Sequence, residues 1–79
     1  MKPENLLKAL ELDKAGDWEG AHALSQSANT PEACWLHAYL HRKEGDTGNA
    51  AYWYARANKP VPDCTLEEEW DHLRMAFSQ

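Results

Sequence analysis

Long apolar runs are missing from this 79-residue chain: its uninterrupted hydrophobic stretches reach only a few residues, which excludes a transmembrane helix. Positive charge is also scarce. Eight Lys and Arg stand against 13 Asp and Glu, for a formal net charge of −5. With no basic patch, phosphate backbones and anionic membranes are repelled, so neither a nucleic acid nor a membrane is an expected partner. Glycine is limited to Gly16, Gly20, Gly45 and Gly48, which gives no phosphate-cradling loop. Cys34 and Cys64 are the only cysteines, and no Cys-x-x-Cys pair exists. The opening Met1-Lys2-Pro3-Glu4-Asn5 has no apolar core of a secretion signal. The expected setting is therefore the cytoplasm, of a bacterium, with both thiols free.

What is present reads as a globular, all-α protein. A hydrophobic fraction of 43% beside 27% charged residues argues against disorder, and the length allows one domain, 1–79. Sliding the chain by 29 residues aligns 6–31 with 35–60, and nine of the 26 pairs are identical, among them Gly16/Gly45, Asp17/Asp46, Ala21/Ala50 and Pro31/Pro60. Composition alone would give about two, so the same helical hairpin is expected twice, over 3–29 and 31–58. Gly-Asp sits where each hairpin reverses, with Gly ending one helix and Asp capping the next.

Thr65-x-x-Glu68 has the form of a capping box. Leu66, Trp70, Leu73 and Phe77 then follow on one helical stripe, with Glu67, Glu68 and Glu69 near the positive end of the helix dipole. This segment, 64–78, is outside the 29-residue register and is expected to cap the stack. Helices are expected at 3–15, 18–28, 31–44, 48–58 and 65–77. The alanines at 9, 21, 50 and 57 are expected to mark close crossings.

Gly16-Asp17-Trp18-Glu19-Gly20-Ala21 resembles the turn of a tetratricopeptide repeat, and the string from Asn49 to Ala57 is similar to the second helix of a Sel-like repeat. The 29-residue period is shorter than either family's, and His37-Ala38 replaces the Leu-Gly expected in the first helix. The resemblance implies antiparallel hairpins stacked as a two-repeat α-solenoid fragment. It also implies a non-catalytic module with no cofactor that binds another protein or peptide, or a second copy of itself. In such folds the face matching Trp35, Tyr39, Arg42 and Lys43 lines the partner groove. The competing expectation is that the last helix folds onto this face and turns Trp35 and Tyr39 into core.

A second function class arises on the opposite face of the same segment. Cys34, His37 and His41 fall at i, i+3 and i+7, so a thiolate and two imidazoles can meet one ion such as zinc, with Glu44, His22 or Asp46 completing the set. Against this stands an ordinary role for His37 and His41, hydrogen-bonded across the hairpin to Asn49 or Tyr52. No nucleophile–base–orienter arrangement is visible, so no enzymatic activity is expected. His72 reads as surface.

Overall fold

The computed structural model describes residues 4–78, and among them are five α-helices and no β-strand: α1 Glu4–Lys14, α2 Trp18–Gln26, α3 Pro31–Glu44, α4 Thr47–Arg56 and α5 Leu66–Phe77. The fold is all-α. Pro3, expected in the opening turn of α1, lies outside the described residues. None of these helices is long and apolar enough to cross a membrane.

The helix ends follow local chemistry. Gly16 (φ 93°) and Gly45 (φ 90°) both take the left-handed conformation. Each is followed by an Asp whose N–H returns to the carbonyl five residues back, Asp17 to Leu12 at 2.8 Å and Asp46 to His41 at 2.9 Å. This is the Schellman stop, and the same aspartates then start the next helix. Asp17 accepts from the N–H of Gly20 and Asp46 from that of Asn49. Asn58 (φ 59°) ends α4 in the same manner, with Lys59 N–H donating to the Tyr54 carbonyl. Hence α4 stops two residues before its expected end, as does α2, where Ser27 already donates back to Leu24. Pro31 stands in the first turn of α3 behind its cap, Thr30. Both bonds of the Thr65–Glu68 capping box form.

A Cβ on Gly45 would meet nothing within 4 Å, so only backbone strain opposes a side chain there. Gly45→Ala is expected to cost about 1–2 kcal/mol, read as a lower urea midpoint at unchanged slope. An unchanged midpoint would contradict the left-handed turn.

Short connections pair α1 with α2 and α3 with α4; α2 packs on α3, and α5 rests on α1 and α3. The main core joins Leu6, Ala9 and Leu10 of α1, Ala21 of α2, Leu36 and Leu40 of α3, and Leu73 and Phe77 of α5. Ala38, Ala50 and Tyr54 make a second cluster between α3 and α4. Ala9, Ala21, Ala50 and Ala57 are all buried, as their small size at helix contacts suggested.

Candidate metal centre

The helix α3 is buried along most of its length, and its two faces have different tasks. On one, Trp35, Tyr39, Arg42 and Lys43 meet two buried carboxylates. Trp35 Nε1 (3.2 Å) and Arg42 Nη1 (2.7 Å) donate to Glu69 of α5, and Arg42 also donates to the Cys64 carbonyl. Tyr39 Oη (3.1 Å) and Lys43 Nζ (2.9 Å) donate to Asp13 of α1. Lys59 lies over the Trp35 ring, 4.2 Å from its centroid. The four side chains expected to line a partner groove are thus engaged by this chain's own α1 and α5. Asp13 is 2% exposed and Glu69 1%. Sequence reasoning gave Asp13 no role, and it counted Glu69 among the acids of a helix start.

On the other face the structure gathers three imidazoles. His37 Nε2 is 2.9 Å from Nε2 of His22 on α2 and 3.0 Å from Nε2 of His41. One ring nitrogen from each lies within 4.8 Å of the other two. His41 Nδ1 is 2.7 Å from Oε1 of Glu44, one turn further along α3. The Trp18 ring stacks on His22 at 4.7 Å between centroids, and the Trp53 ring on His37 at 4.0 Å. Two indoles therefore pack against two of the imidazole rings, and a carboxylate holds the third.

His37 and His41 come together as their i, i+4 spacing suggested. Cys34 does not join them. Cys34 instead lines an open cavity of about 200 Å³ with Ser25, Asn29, His37 and Trp53, and the third nitrogen comes from His22. Neither Asn49 nor Tyr52 bonds to the imidazoles: Asn49 donates to Asp46, while Tyr52 accepts from Arg56. Asp46 is committed as the cap of α4. Both cysteines are free.

With all three rings neutral, the hydrogens of this site do not suffice for its contacts. A neutral imidazole carries one ring hydrogen. Glu44, an acceptor, draws the His41 hydrogen to Nδ1 and leaves a lone pair on Nε2, directed at His37. His37 Nε2 must then donate, yet it faces two nitrogens and has a single hydrogen for both. If His22 also presented N–H, two hydrogens would collide. With neutral rings in this arrangement one hydrogen serves three nitrogens, and Nε2 of His22 and of His41 are left as acceptors on either side of His37. A tetrahedral ion with Zn–N bonds of about 2.0–2.1 Å would place the nitrogens about 3.4 Å apart. The two short contacts need to open by only a few tenths of an ångström.

Burial lowers the His37 pKa to about 4, with His22 and His41 adding to the effect. The His22 pKa is lowered too, by burial first and then by His41. A depressed pKa keeps the ring unprotonated at neutral pH, the form a metal requires. It also links stability to pH. Between about 6.5, the ordinary histidine value, and about 4, the unfolded chain holds the proton and folded His37 does not. Stability in the absence of metal is therefore fully present above that window and falls as the pH drops through it. The expected loss is on the order of 3 kcal/mol for His37. Denaturation curves at pH 7.5 and pH 4.5 test it, and His37→Phe should flatten the dependence. An equally steep curve in that variant would assign the acid loss elsewhere.

The chain matches no family model, no curated protein and no solved structure.

Proposed function

We propose that this protein binds one divalent transition-metal ion, zinc or a close competitor, through His22, His37 and His41. The single observation that carries the reading is the convergence of three ring nitrogens from two helices, with the outer nitrogen of His41 held by Glu44. Carboxylate–histidine–metal relays of this kind orient a ligand ring and raise its basicity. Imidazole suits zinc, copper and nickel, and copper(II) competes best for nitrogen sites. The ligand set departs from a Cys-x2-His-x3-His face: His22 takes the place expected of Cys34.

Dialysis of metal-free protein against zinc, followed by elemental analysis, should leave one ion per chain. His37→Ala should retain none, whereas Cys34→Ser should bind as the parent does. Failure of the parent chain to retain stoichiometric zinc, copper or cobalt would end the proposal. Loss of binding in Cys34→Ser with retention in His22→Ala would return the thiolate to the ligand set.

Docking of another protein at Trp35 and Arg42 would have to displace their bonds to Glu69 of α5, while Tyr39 and Lys43, bonded to Asp13, line an open cavity between α1, α3 and α5. Among the described residues, the large apolar side chains that stand free of the core are Tyr52, Val61 and Met75. These are too few to outweigh the histidine site as the basis of a function.

A further inference from the structure

We infer that the cavity between α1, α3 and α5 binds a small organic ammonium, with its charged head at the Trp70 ring beside Glu67 and Asp71. This cavity adjoins the face of α3 away from the histidines, so the inference stands apart from the metal-binding reading. Its volume is about 550 Å³, within the range of small-molecule sites. Five charged side chains line it: Asp13, Glu67 and Asp71 against Lys14 and Lys43. Lys43 donates to Asp13 at 2.9 Å and the Tyr39 hydroxyl at 3.1 Å, so these three groups satisfy one another. Two carboxylates and one ammonium then remain. A ligand of positive charge evens that balance.

Neither Glu67 nor Asp71 makes an ion pair among the described residues. They stand at i and i+4 of α5, one turn apart, where like charges repel each other. Trp70, three residues after Glu67, shares their side of the helix. The indole is held in place, because its Nε1 donates to the Leu10 carbonyl at 3.1 Å. Its face already takes a cation: the Lys14 ammonium is 4.6 Å from the ring centroid. Lys14 is exposed at the end of α1, so this long side chain can swing away and give its place to a ligand. Leu66 and Tyr39 add apolar wall to the same cavity. That wall asks for carbon around the charge, which an alkyl or aralkyl ammonium has and a hydrated metal ion lacks.

Benzyltrimethylammonium is the probe, added with a chelator so that no metal occupies the histidines. Calorimetric titration should give one site per chain, with a dissociation constant on the order of 0.1–1 mM. In proton spectra the methyl signals of the probe should move upfield, as they do above an aromatic face. Glu67→Gln combined with Asp71→Asn alters two exposed side chains and should weaken binding about tenfold. Lys14→Met should tighten it severalfold, because the ring is cleared and a like charge removed. No saturable binding at up to about 10 mM would overturn the inference. Equal affinity in the double variant would overturn the placement beside the two carboxylates. Saturable binding of phenylacetate in place of the ammonium would overturn the sign of the charge. The uptake of zinc is measured on its own, so none of these results decides the histidine site.

Discussion

Glu69→Ala is expected to lower the unfolding free energy by about 3–5 kcal/mol, a large share of what holds a chain of this size together. The carboxylate is 1% exposed and takes three donors: Trp35 Nε1, Arg42 Nη1 and Tyr54 Oη, the last at 2.5 Å. Burial, followed by the bond to Glu69, pushes the Tyr54 phenol far above its ordinary pKa, so it remains a donor. Removing the acceptor leaves a guanidinium that is 22% exposed without its counter-charge and a buried hydroxyl and indole N–H without partners. Glu69→Gln keeps an acceptor for Tyr54 but loses the charge facing Arg42, and should cost less. Urea denaturation of the three proteins checks the order. A loss under about 1 kcal/mol for Glu69→Ala would mean that water replaces the carboxylate at little cost, so that α5 is loosely held.

Saturating zinc is expected to raise the thermal midpoint by roughly 10–20 °C. At a hundredfold excess over the dissociation constant an ion stabilises the folded form by about 2.7 kcal/mol, and 1 kcal/mol moves a domain of this size by about 4–8 °C. His22 is on α2, whereas His37 and His41 are on α3, so a bound ion would add a tie between two helices already joined by packing and by the bond from Trp18 to the Leu40 carbonyl. Glu44→Gln should weaken zinc about 10–100-fold by releasing the ring of His41, so that its thermal gain appears only at higher zinc. Calorimetric scans with and without a chelator measure both. The same midpoint with zinc and with chelator would contradict a folded-state site.

The features that were legible in the sequence are those set by near neighbours. Gly16 and Gly45 had to turn the chain because only glycine enters the left-handed region cheaply, and Asp17, Asp46, Thr30 and Thr65 had to cap because each precedes a helical pattern. Leu73 and Phe77 are buried as the stripe of α5 foretold, with Leu66 and Trp70 packed beside them. The choice between two fates for Trp35 and Tyr39 was not legible. That of Trp35 depended on whether α5 would supply a buried acceptor, which was concealed in a run of three glutamates, and that of Tyr39 on Asp13 of α1. A positional signal existed: Glu69 is three residues after Leu66 and four before Leu73, which puts it on the apolar face while Glu67 and Glu68 point away. His22 was harder to assign. The spacing of Cys34, His37 and His41 along one helix is visible in the chain, but which level of α3 meets α2 is decided by the packing of Ala21 and Trp18, whose indole N–H donates to the Leu40 carbonyl.

The stacking of Trp53 on His37 and of Trp18 on His22 has a spectroscopic consequence. These indoles lie face to face with two of the candidate ligands, whereas Trp35 and Trp70 are tied to Glu69 and to the Leu10 carbonyl. A paramagnetic guest such as copper(II) would darken the emission of the first pair far more than that of the second. The molecule thus carries its own lamp beside the histidines and an internal reference away from them, and occupancy becomes readable by ultraviolet light without any attached dye.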